Sequence, residues 1–136
     1  MTKKMYTPSP AFEAFLEQVV RKAQDILDLR QYRVAFKFVQ HVPGYSHIPS
    51  DGGYTFQIET DEVYMEAIID VSLLAQKTFF LGGFRILQEN ILHELCHIIT
   101  WPVTDAIGKR KSKQETINLD ENLTQRIAIL ASKLLK

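Results

Sequence analysis

The sequence predicts an α+β domain, and three observations carry that prediction. Residues 10–28 place Phe12, Phe15, Leu16, Val19, Ala23, Ile26 and Leu27 at helical spacing. The middle of the chain alternates apolar and polar residues at period two, as half-buried strands do. The last third returns to helical spacing, first around the apolar run from Ile91 to Ile99 and again after Asn118. The chain has 136 residues, enough for one domain with a real core but not for two. It is read as a single domain over 1–136, with 1–8 as a flexible arm.

Taken in order, Ser9-Pro10 is a helix start, with serine as N-cap and proline at the first helical position. Tyr32, Val34, Phe36 and Phe38 alternate with Arg33 and Lys37, giving a first strand that ends before Gln40. Prolines, glycines and serines between His41 and Gly53 read as a loop. Tyr54 to Ile58 predicts a second strand, Thr60-Asp61 a turn, and Val63 to Val71 a third strand closing an antiparallel hairpin. The sheet is thus small, of three or four strands. Ser72 caps a short helical turn through Lys77, and Leu81-Gly82-Gly83 breaks the chain. A helix over 83–101 follows and is predicted to stop at Pro102. Beyond a basic loop, Gly108 to Lys113, a last helix is expected to start near Asn118, with Leu123, Ile127, Leu130 and Leu134 as its apolar stripe.

The helix over 83–101 holds His93-Glu94-Leu95-Cys96-His97, an H-E-x-x-H pentad. Residues four apart lie on nearly one helix face, so the two imidazoles can share one Zn²⁺. Glu94 sits about 100° further round, where its carboxylate can take a proton from a water that the metal acidifies. Two histidines hold zinc poorly, and sites of this kind take a third protein ligand. No histidine follows His97, and Thr100 and Val103 stand where a metzincin extension has its glycine and histidine. The candidates are Asp105, Glu115, Asp120 and Glu121. Glu121 is preferred, with Asp120 its rival, because Thr124, Ala128 and Ser132 follow on its side and would let two helices approach closely. The competing structural role for Glu121 is a capping box with Asn118. Cys96 reads as a small buried hydrophobe. His41 and His47 read as loop residues with no spacing that ties them to the pentad.

Composition narrows the function classes. Formal net charge is zero, so no global attraction to nucleic acid or membrane follows. The basic loop from Lys109 to Lys113 is the one feature favouring nucleic acid, and it reads as a solvated loop. No apolar stretch is long enough for a transmembrane helix, and no secretory signal is evident at the N-terminus. A single cysteine excludes an internal disulfide framework and points to a reducing, cytoplasmic setting.

The order of elements, the pentad, and the later stretch Glu121-Asn122-Leu123-Thr124-Gln125-Arg126-Ile127-Ala128 resemble a minimal zincin of the Glu-ligand type. They are similar to the ImmA/IrrE-type metallopeptidases of phages and bacterial mobile elements. The resemblance implies a zincin-like α+β fold and one zinc per chain on His93, His97 and Glu121, with Glu94 as general base. It also implies hydrolysis of peptide bonds in a specific protein substrate. Cys96 at the fourth pentad position is similar to SprT-like domains, but their third histidine and zinc ribbon are missing. The resemblance further implies a substrate strand laid along a sheet edge, for which Tyr64 to Val71 is the candidate. An oxyanion donor would come from Tyr45, Tyr54, Tyr64 or His47. The alternative is a catalytically silent zincin-fold metal-binding protein that acts through protein–protein contacts.

Overall fold

A computed structural model describes residues 4–42, 54–61, 63–108 and 113–135. Helix α1 spans Pro10–Leu27, as its apolar spacing requires, and buries Phe12, Leu16, Val19, Val20 and Ala23 along one stripe. Pro10 opens it, while Ser9 caps without a side-chain bond and instead donates its backbone N–H to Gln76 Oε1 at 2.8 Å. Asp28, left-handed at φ 55°, closes it. Gln24 Nε2 then donates to the carbonyls of Leu29 and Tyr32, fixing the turn into the first strand.

Strands β1 (Arg33–Val39), β2 (Phe56–Asp61) and β3 (Glu66–Ser72) form one mixed sheet in the order β1-β3-β2. β3 pairs parallel with β1 and antiparallel with β2. Two expectations shift here. The turn of the hairpin lies at 63–65, because Asp61 Oδ1 accepts the N–H groups of Val63 and Tyr64; Thr60 and Asp61 themselves stay in β2. The strand containing Val71 is the centre of the sheet and not an edge, since it is paired on both sides. Lys4 and Tyr6 pair with the end of β1, through Gln40 N–H to Lys4 and Tyr6 N–H to Phe38.

Helix α2 (Leu73–Phe80) follows β3 directly, with Ser72 Oγ accepting the Ala75 N–H as N-cap. Gly82, at φ 85°, and Gly83 turn the chain into α3 (Phe84–Gly108). A Cβ on Gly83 would stand 2.5 Å from Thr78 Cγ2 and 3.1 Å from the Thr78 carbonyl oxygen, so a larger residue there would have to displace Thr78. The rings of Phe12, Phe15, Phe79 and Phe84 pack at centroid distances of 5.2–5.7 Å and join α1, α2 and α3. Ala67, Ile69 and Val71 of β3 and Leu87, Ile91, Leu92 and Leu95 of α3 complete the core.

α3 runs through Pro102 rather than ending before it. Proline deletes its own N–H but its φ is helical, so a long helix can carry it at a cost of about 3 kcal/mol. Pro102 is exposed, and the neighbouring Thr100 is buried and bonded to the last helix, which holds the backbone there. That last helix, α4 (Lys113–Ser132), begins five residues before Asn118. Asn118 therefore accepts from Gln114 Nε2 inside the helix instead of capping it. The predicted leucine stripe is also displaced: Leu130 and Leu134 are exposed, while Asp120, Thr124, Ala128 and Ala131 are buried. Small side chains, as expected from Thr124 and Ala128, bring α4 close to α3. Among the described residues no helix is long and apolar enough to cross a membrane.

If α3 continues past Pro102, Pro102→Ala raises stability by up to about 3 kcal/mol in denaturant unfolding. A helix that ended at Pro102 would give a change near zero.

Candidate metal centre

The site forms where α3 and α4 lie side by side. Leu92, Leu95 and Cys96 turn to the core, which leaves His93 and His97 on the face toward α4. The two rings stand nearly perpendicular, 83° apart, with centroids 5.0 Å from each other. Both Nε2 atoms meet one carboxylate: His93 Nε2 lies 3.1 Å from Glu121 Oε2, and His97 Nε2 lies 3.2 Å from Glu121 Oε1. Glu121 reaches them from the middle of α4, beside Thr124 and Ala128.

The opposite ring nitrogens have other partners. His97 Nδ1 is 2.8 Å from Asp120 Oδ2, and His93 Nδ1 is 2.8 Å from Gln125 Oε1. Asp120 Oδ1 accepts from Thr100 Oγ1 at 2.8 Å. Asp120 thus faces Nδ1 of His97, on the side of the ring away from the shared carboxylate. Glu94 is directed to the sheet side of α3, where its carboxylate is hydrogen-bonded to the backbone of Ile58 in β2. One turn earlier, Asn90 Nδ2 donates to Thr55 Oγ1 at 3.0 Å and fastens α3 to the start of the same strand.

Two groups of side chains could hold a metal ion among the described residues: His93 with Glu94 and His97, and His97 with Asp120 and Glu121. In each, the ligand atoms lie within 4.8 Å of one another. Glu115 is exposed on α4, nearly two turns before Glu121, and belongs to neither group. The side chain of Asp105 lies outside the described residues, as do Tyr45, His47 and the loop from Lys109 to Ser112. Tyr54 is half-buried where it bridges to Val42, and Tyr64 is exposed in the hairpin turn. Cys96 is fully buried, with its thiol pushed up to about 12 by burial, as a core residue would be.

Charge in the cluster follows from this packing. Burial opposes a charged His97, but the bonds to Asp120 and Glu121 and the field of Glu94 outweigh it and raise its pKa to about 10. His93 is raised in the same way, with burial overcome mainly by Glu121. Burial raises Glu94 to about 7, against the pull of the two histidines. Burial also acts on Glu121, yet the bonds from both imidazoles hold its carboxyl well below the usual carboxylate range. The cluster is therefore a carboxylate-rich nest that attracts cations, and protons fill it when nothing else does.

Gln125 and Thr100 carry no signal that singles them out in the sequence. Only spacing relates them to the cluster: Gln125 is four residues after Glu121 and Thr100 three after His97, so each shares a helix face with a cluster residue. No family model, curated protein or solved structure matches this chain. The zincin-like arrangement of N-terminal helix, small mixed sheet, pentad helix and C-terminal helix accordingly stands on topology and on the cluster.

The raised groups set a pH dependence for the metal-free protein. The contribution of His97 is fully present below its unfolded value of about 6.5 and is lost as pH rises through about 10. Glu94 acts in the same direction, its contribution lost as pH rises through about 7. With chelator present, the melting temperature should fall between pH 6.5 and 10, and His97→Ala should flatten that fall. An unchanged slope in the variant would contradict the His97 assignment.

Proposed function

We propose that the chain is a zinc-dependent metallopeptidase, with His93 Nε2, His97 Nε2 and Glu121 as the metal ligands and Glu94 as general base. The observation that carries this reading is the convergence of both Nε2 atoms on the two oxygens of Glu121, at 3.1 and 3.2 Å. Tetrahedral zinc with bonds of about 2.0–2.2 Å places neighbouring ligand atoms about 3.3 Å apart, and both contacts to Glu121 are close to that spacing. Two imidazoles and one carboxylate are also a donor set of catalytic zinc sites, which keep a position for water. Among the described residues the two candidate groups share His97, which favours one zinc per chain.

Zinc, when bound, supplies a Lewis acid and lowers the pKa of a water in its open position. Glu94 is suited to take the proton of that water, since it is buried beside both imidazoles and lies on the helix face next to theirs. Its bond to Ile58 holds the carboxylate on the sheet side of α3, within 4.8 Å of the imidazole nitrogens. Glu121 carries its negative charge without a proton and balances the cation.

A peptide is the substrate this arrangement favours. Ser72 N–H donates to Thr55 C=O, so Thr55, Gln57 and Glu59 turn their main-chain groups toward β3. Phe56, Ile58 and Thr60 turn theirs the other way, where no described strand pairs with them and where Glu94 meets the backbone of Ile58. A peptide pairing there would lie next to Glu94, which moves the docking edge from the strand ending at Val71 to β2.

The test uses a peptide library made by digesting a proteome, incubated with the zinc-loaded chain and read by mass spectrometry. Cleavage should appear in the wild type and fall about 10²–10⁴-fold in Glu94→Gln, with zinc content unchanged. Undiminished cleavage in Glu94→Gln would remove the proposed base. A zinc-loaded wild type that cleaves nothing would leave a zinc-binding protein of the same fold without peptidase activity.

A further inference from the structure

Each pentad histidine has two ring nitrogens, and only one of them can bind a metal from the shared face. A neutral imidazole carries one N–H and one lone pair. An acceptor at Nδ1 draws the proton there and leaves the Nε2 lone pair for a ligand. Both histidines have such an acceptor on α4, Asp120 Oδ2 for His97 and Gln125 Oε1 for His93, each at 2.8 Å. We propose that Asp120 and Gln125 are positioning residues, which set the tautomer and plane of the two imidazoles for the zinc site, and that they do so unequally. This inference rests on the zinc reading above.

The inequality lies in charge and in rigidity. Asp120 is a carboxylate at 2% exposure. It is locked by Thr100 Oγ1, which is 2.8 Å from Asp120 Oδ1 and 2.6 Å from Thr124 Oγ1. Thr124 Oγ1 in turn lies 3.3 Å from His97 Nδ1, so the ring, the carboxylate and two hydroxyls form one closed buried network. A carboxylate behind an imidazole also makes it a stronger donor to a metal. Gln125 is exposed and neutral, so it orients His93 without adding charge. His97 is the fixed, electron-rich ligand, and His93 the weaker and more adaptable one. Asp120, a rival of Glu121 as third ligand by sequence and by its place in the second candidate group, acts through His97 and not on the metal.

The test is the zinc affinity of the full chain, measured by competition with a chromogenic chelator, together with the visible spectrum of the Co²⁺-substituted protein. Asp120→Ala and Gln125→Ala should each weaken zinc about 10–100-fold while one zinc per chain still binds at saturation. Asp120→Asn keeps an acceptor toward Nδ1 and preserves the buried network if the alanine variant fails to fold. Its affinity should fall between wild type and Asp120→Ala. Gln125→Glu should bind at least as tightly as wild type and restore the cobalt spectrum that Gln125→Ala alters. Rescue of this kind would not follow from a merely structural role. Affinities of both Gln125 variants within about twofold of wild type, with unaltered cobalt spectra, would overturn the role of Gln125. Loss of stoichiometric zinc in a folded Asp120→Asn, matching His97→Ala, would make Asp120 a ligand and overturn its positioning role. A wild type that binds no zinc removes the zinc reading and this inference together, whereas zinc bound with indifferent variants removes this inference alone.

Discussion

The structure depends on one carboxylate meeting two imidazoles from a different helix. Glu121 is 28 residues from His93 and 24 from His97 in sequence, and hydrogen bonds of 3.1 and 3.2 Å join it to both. Such a contact needs the backbones of α3 and α4 to approach closely. Thr124, Ala128 and Ala131 permit it, because each is small and each is buried on the seam.

The rest of the fold serves to hold α3 still. Its apolar face is clamped between α1 and the sheet by Leu87, Ile91, Leu92 and Leu95, all fully buried. Asn90 and Glu94 fasten its next face to β2, through Thr55 and the backbone of Ile58. Its third face carries the histidines. One helix thus divides its circumference among packing, the base and the metal ligands, and the helical period keeps these roles from interfering. Three carboxyl groups, those of Glu94, Asp120 and Glu121, surround two histidines, and this donor set makes the centre a place for a cation.

Much of this was legible in the sequence wherever a single local rule governs. The apolar spacing of α1, the alternation of β1, the hairpin of β2 and β3, and the pentad all follow from periodicity. The pairing of β3 with β1 was not legible, because a parallel contact between strands separated by another strand leaves no local mark. Pro102 misled because its local penalty is real, yet tertiary contacts around Thr100 outweigh it. The start of α4 misled in the opposite way: Asn118 and Glu121 have the spacing of a capping box, but the helix had already begun at Lys113. Asp120 and Glu121 are adjacent acids that no spacing rule separates. Only their orientation on α4 sends one to Nδ1 and the other to Nε2. Gln125 and Thr100 look like ordinary helix residues until the partner helix is in place.

The most direct test of the central claim is a crystal structure of the chain with zinc, located by anomalous scattering at the zinc edge. One zinc bonded to His93 Nε2, His97 Nε2 and a Glu121 oxygen at about 2.0–2.2 Å is expected, with Asp120 and Gln125 still at the Nδ1 atoms. A zinc ion between His97 Nδ1 and Asp120, or none at the pentad, would contradict it.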